Sequence, residues 1–147
     1  MDKLIWIIVA LLSGAVLPIQ AGLNARLGSA GQNPVYAATI SFVVGTIGLI
    51  VYILLTRQQV SVAGLREVPP YIWLGGLLGA FYVTAIVLLF PKLGPGLTFG
   101  LVVAGQMIVS IMLEHFNLLV AHPSPISYMK LLGIALVVAG VVIIRKY

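Results

Sequence analysis

Residues 101–119 read LVVAGQMIVSIMLEHFNLL. Written as a helix, this stretch sets Gln106, Ser110 and Glu114 at i, i+4 and i+8, with Asn117 three further on. The four positions share one face. Glu114 is the only acidic residue inside an apolar run of the chain. In hydrocarbon such a polar stripe is costly unless it meets another helix, water or a ligand. The stripe therefore predicts a polar seam within a membrane bundle, and with it a route or binding site for a polar solute.

Composition supports the membrane half of that statement. The chain has 147 residues, 61% hydrophobic and 7% charged, with a mean hydropathy of +1.18. This is far outside the range of soluble domains and sets a limit of one domain. The net charge of +5 would suggest nucleic acid in a soluble protein. Here the basic residues sit mostly at the ends of apolar runs, where anionic headgroups are the expected partners, and no nucleic-acid partner is predicted. The absence of cysteine excludes disulfides, thiolate metal sites and cysteine nucleophiles. No cofactor, metal or catalytic set is expected: there is no zinc spacing, no phosphate loop and no supported Ser/His/Asp arrangement. His115 and His122 alone make a poor metal site. The chain reads as a non-enzyme.

A spanning helix needs about 20 mostly apolar residues. Five stretches qualify: 4–23, 35–55, 71–90, 97–116 and 127–144. The expected architecture is an all-α membrane protein of five transmembrane helices in a single domain. The first run follows Lys3 like a signal peptide but lacks a small-residue cleavage site, so it is expected to stay as a helix. Connections are predicted at 28–34, at 57–70, at Pro91–Gly96 and at His122–Pro125, each marked by proline or glycine. Trp6, Tyr71 and Trp73 fall near span ends, as interfacial aromatics do.

Five crossings place the termini on opposite sides. Lys3, Arg57, Arg66 and Lys130 then share one side, and Arg26, Lys92, Arg145 and Lys146 the other. Orientation follows a Lys/Arg excess on the cytoplasmic side, and four against four leaves none. Two readings stay open: one charge near the first helix fixes a single orientation, or the chain inserts both ways and pairs head to tail.

The first span carries a second seam, in which Ser13, Gln20 and Asn24 lie on one face. Pro18 removes a backbone donor in mid-helix, a break that membrane helices tolerate beside a cavity or a neighbour. Gln106, deep in its span, needs a protein or ligand hydrogen bond. Glu114 is either a buried carboxylate on the pathway or an interfacial group reaching the headgroups beside His115. Arg26 reads as an interfacial anchor, or as a charge that draws an anionic solute to the mouth. Phe81 and Tyr82 are candidate pocket-lining aromatics. Ser41 with Gly45, and Gly75 with Gly79, have the spacing of close helix contacts. Gly133 and Gly140 have the spacing of an oligomer seam.

Four stretches carry a family likeness: LLSGAVLPIQAGLNARLG from Leu11, ISFVVGTIGL from Ile40, WLGGLLGAFYV from Trp73 and LVVAGQMIVSIMLEHFNLL from Leu101. In this order they resemble the YdcZ-type family of the drug/metabolite transporter superfamily, related to the small multidrug resistance transporters. The resemblance implies a five-helix protein of the bacterial inner membrane. It also implies dual-topology pairs or fused ten-helix chains, of which five helices are an inverted-repeat half. It singles out Gln20, Asn24, Gln106 and Glu114 as pathway residues. Small multidrug resistance pumps use a carboxylate in their first helix. This chain has Gln20 there and no acid, which places proton-coupled export of drug cations in doubt.

The expected function is transport of a small polar or amphipathic solute by alternating access. The expected assembly is an antiparallel homodimer in lipid, with Gln20, Asn24, Gln106, Ser110 and Glu114 on the pathway. Ser13, Phe81, Tyr82 and Asn117 are expected to line the pocket. The alternatives are a channel, or a non-transporting subunit of another membrane protein.

Overall fold

The computed structural model describes residues 3–147, and every regular element among them is helical. The elements are α1 (Lys3–Ala30), α2 (Pro34–Thr56), a short α3 (Val62–Arg66), a 3₁₀ turn (Pro70–Leu74), α4 (Gly75–His115) and α5 (Tyr128–Lys146). Four helical stretches are long and apolar enough to cross a membrane: α1, α2, α5 and the 46 residues Pro70–His115. Only 6–11% of their hydrophobic windows is buried within the chain. Lipid or partner helices must cover the rest.

The boundaries differ from the expected ones for identifiable reasons. Helix α1 runs seven residues past position 23, because Asn24 and Arg26 end the apolar run without ending the helix. Its 28 residues extend about 42 Å at the usual rise, longer than a hydrocarbon core of about 30 Å. Pro18 is accommodated inside it. The chain then turns within three residues. Gln32 adopts a left-handed φ of 52°, and Asn33 N–H donates back to Gly28 O at 3.0 Å. Asn33 also caps α2, its Oδ1 accepting from Val35 N at 3.0 Å and Tyr36 N at 3.3 Å, with Pro34 in the first helical position.

The expected connection at Pro91–Gly96 is not a loop. Helix continues on both sides, and a single residue, Gly94, leaves it with φ 75° and ψ 163°. Pro95 excludes the helical region for the residue before it. The conformation adopted instead is open in practice to glycine alone. The segment 57–70, expected to be wholly irregular, contains α3, capped by Ser61 Oγ, which accepts from Gly64 N at 3.2 Å.

The described residues form two compact units, one up to Pro91 and one from Lys92 to Tyr147. In the first, α1 and α2 pack antiparallel with the first part of α4. Ala21, Ala37, Ala38, Ile86 and Val87 are its buried apolar residues. Gly28 is the point of closest approach. A methyl group there would lie 3.2 Å from Pro34 Cα, 3.4 Å from Val87 and 3.5 Å from Ala37. In the second unit, the later part of α4 packs antiparallel to α5. A methyl group at Gly96 would lie 3.4 Å from Ile144, and one at Gly100 would lie 3.0 Å from Val141.

Candidate functional site

The first unit gathers the polar residues of α1 against α2. Asn24 is buried at 6% exposure, and its Nδ2 donates to Ser41 Oγ at 3.2 Å. The neighbouring pocket of about 220 Å³ is lined by Gln20, Ser41, Phe42, Gly45, Thr46, Leu49 and Val83. Ser41, expected only as a small packing residue, is therefore both the partner of Asn24 and part of this wall. Gly45 keeps the wall open, since a methyl group there would touch nothing within 4 Å. Gln20 is exposed and makes no side-chain hydrogen bond among the described residues. A second, larger groove of about 450 Å³ lies on the other side of Phe42 and Thr46, between α2 and the first part of α4. Thr39, Thr46 and Thr84 add hydroxyls to its otherwise apolar lining.

The other residues of the first unit separate. Ser13 Oγ donates to Val9 O at 2.8 Å, so its hydroxyl is satisfied within α1. Phe81 is 75% exposed and lines none of these pockets. Tyr82 turns inward: its hydroxyl is buried and has no hydrogen-bond partner.

In the second unit, Gln106, Ser110 and Glu114 do follow one another along α4. Gln106 is exposed and Ser110 half-buried. Asn117 does not extend the face. The helix ends at His115, and Asn117 takes a left-handed φ of 53°. Its N–H reaches Glu114 O at 3.4 Å, and Leu118 N–H reaches Leu113 O at 2.9 Å. This is a Schellman ending, for which asparagine is a usual substitute for glycine. Asn117 is a helix terminator here.

Glu114 has a partner that its own stretch of sequence does not show. Lys130 Nζ, in the first turn of α5, lies 2.7 Å from Glu114 Oε2. The ammonium also donates to Ser124 Oγ at 2.8 Å and to Ser124 O at 3.1 Å. Two backbone contacts hold the same connection. Ser124 N–H donates to Glu114 O at 3.3 Å, and Ile126 N–H to His115 Nδ1 at 3.4 Å. The pair is partly open to solvent, with side-chain exposures of 26% for Lys130 and 36% for Glu114. It is a charge-compensated clasp at the end of α4.

Thr98 was not foreseen. It is 1% exposed, and its Oγ1 has no hydrogen-bond partner. A threonine in an apolar run gives no sequence signal of this kind, because it usually donates to a carbonyl one turn back, as Thr39 and Thr56 do. Among the described residues no group of three or more His, Cys, Asp or Glu could hold a metal ion.

A family model described as "Putative inner membrane exporter, YdcZ" matches residues 5–143. No curated protein and no solved structure matches the chain.

Proposed function

This chain belongs to the YdcZ family, and on that footing we propose that it carries a small polar or amphipathic solute across the inner membrane by alternating access, as an antiparallel homodimer. It is a multi-pass inner-membrane protein of an exporter family. The observation that carries the mechanistic reading is the convergence of Gln20, Asn24, Ser41 and Thr46 beside a pocket between otherwise apolar helices. Polar groups in hydrocarbon need a partner, water or a ligand, and a pocket beside them gives a polar solute access to them.

The proposed crossing number is five, within one transmembrane domain. A straight helix of the 46 residues from Pro70 to His115 would extend about 69 Å, more than two hydrocarbon cores. The break at Gly94 supports a division of this stretch into two spans. Termini on opposite sides and an even division of Lys and Arg then favour insertion both ways. Gly133 and Gly140 of α5, beside which a methyl group would meet nothing within 4 Å, leave room for a partner helix. In an inverted pair, equivalent helices line one central site about an axis in the membrane plane.

Gln20, Asn24, Gln106 and Ser110 coordinate the solute in this reading. Glu114 acts as a gate or a proton-linked group, and its clasp with Lys130 ties α4 to α5. The test is counterflow of a panel of labelled neutral and anionic amphipathic solutes in liposomes containing this chain alone. Saturable counterflow, lost in Gln106→Leu with insertion and assembly intact, is expected. Normal flux by well-inserted Gln106→Leu removes that residue from the account. Single conductance steps would make the protein a channel, and no flux at all would make it a subunit.

A further inference from the structure

A groove of about 480 Å³ runs along α1, lined by Pro18, Ile19, Gly22, Leu23, Ala25, Arg26, Ser29 and Phe90. We propose that it is a binding site for one anionic phospholipid. Arg26 and Ser29 hold the phosphate, and an acyl chain lies along the groove over Gly22, beside Ile19, Leu23 and Phe90.

The two ends of the groove differ in chemistry. Arg26 and Ser29 are three residues apart, hence on one helix face, and both are exposed in the last turns of α1. Among the described residues the Arg26 guanidinium has no salt bridge, and neither side chain makes a hydrogen bond. A planar fork of donors beside a hydroxyl is suited to a phosphate diester. The other end is apolar. From Arg26 to Pro18 the groove descends eight residues, about 12 Å along the helix. That is the direction and order of length in which an acyl chain leaves its headgroup. Gly22 makes the floor bare backbone: a methyl group there would already stand 3.7 Å from the Phe90 ring.

Position on the chain favours lipid over a soluble anion. Ile19 and Leu23, on the flank of the groove, are exposed apolar residues. They lie on a helix whose surface needs a lipid covering. Arg26 lies in the last turns of α1, beyond the apolar run, and a basic residue near a membrane surface contributes about fivefold to the affinity for acidic lipid. The site is independent of the solute pathway proposed above, because none of its lining residues borders the Gln20 pocket.

The test counts bound lipid by native mass spectrometry. Purified protein is offered phosphatidylglycerol or phosphatidylcholine of identical acyl chains in neutral detergent. The wild type is expected to retain one phosphatidylglycerol, about fivefold over phosphatidylcholine. Arg26→Gln should abolish the preference, and Arg26→Lys, which keeps the charge and loses the fork, should keep only part of it. Gly22→Leu, which fills the floor and leaves the charge, should reduce retention of both lipids. Arg145→Gln, at the end of α5, should leave retention unchanged. An unaltered preference in Arg26→Gln overturns the proposal. An equal loss in Arg145→Gln also overturns it, since the preference would then belong to the basic helix ends in general. Folded wild type that retains no phosphatidylglycerol overturns it outright.

Discussion

Removing Ser41 should cost more than removing the larger residue it supports. Asn24 is buried, and its amide nitrogen donates to Ser41 Oγ at 3.2 Å. Ser41→Ala deletes only a hydroxyl, but it leaves an amide donor unpaired between apolar helices. That penalty is about 1–3 kcal/mol. Asn24→Leu, close to isosteric, leaves instead a serine hydroxyl. The hydroxyl can turn onto the carbonyl of Ala37, one turn back, as Ser13, Thr39 and Thr56 already do at 2.8, 2.9 and 2.7 Å. Its cost is the interhelical hydrogen bond alone, about 0.6 kcal/mol on average for such bonds in membranes. With both partners apolar, no donor is stranded, and the double variant should return to within about 0.5 kcal/mol of wild type. Reversible unfolding by sodium dodecyl sulfate in mixed micelles, followed by Trp6 and Trp73 fluorescence, gives all three values. An Asn24→Leu cost equal to or above that of Ser41→Ala would refute the reasoning, as would a double variant that simply sums the singles. A stable double variant would also separate packing from transport, because it removes the Asn24 amide without unfolding the first unit.

Three further outcomes follow from the geometry. Glu114→Gln and Lys130→Gln should each loosen the α4–α5 connection, and a double-mutant cycle should give a coupling of about 0.5–1 kcal/mol, modest because the pair is partly solvated; recovery of flux in the double variant would support a clasp and speak against a proton relay. Gly94→Ala should destabilise the protein by about 1–3 kcal/mol, because its φ and ψ are denied to other residues, and the same unfolding titration reads it. Gly100→Ala places a methyl group 3.0 Å from Val141 Cγ2, which should cost about 1–3 kcal/mol as overpacking; adding Val141→Ala should recover most of it, and failure to recover would mean that the contact is not the cause.

Much of this was legible in the sequence because lipid makes hydrophobicity a direct record of burial in the membrane. The apolar runs and the Asn33-Pro34 entry to α2 could be read from residue type and spacing. Four features could not. The partner of Glu114 is 16 residues away, and only the path of the 116–127 connection brings Lys130 back to it. The extent of α1 was underestimated because Asn24 and Arg26 look like an end to a membrane span, whereas helical hydrogen bonding continues through them into the interface. The Pro91–Gly96 stretch looks like a loop because two prolines and two glycines punctuate it, yet one glycine conformation satisfies Pro95 and lets helix resume. Asn117 fits the face by spacing, but spacing assumes that the helix continues, and its left-handed backbone shows that it has stopped.

Inverted pairing is the central element of the proposed transporter. The chain has no native cysteine, so one cysteine added after Tyr147 is the only target for a membrane-impermeant thiol reagent in intact cells. The account predicts partial labelling from outside, with the remainder labelled only once the membrane is opened, because both orientations coexist. Labelling confined to one side would contradict the antiparallel homodimer.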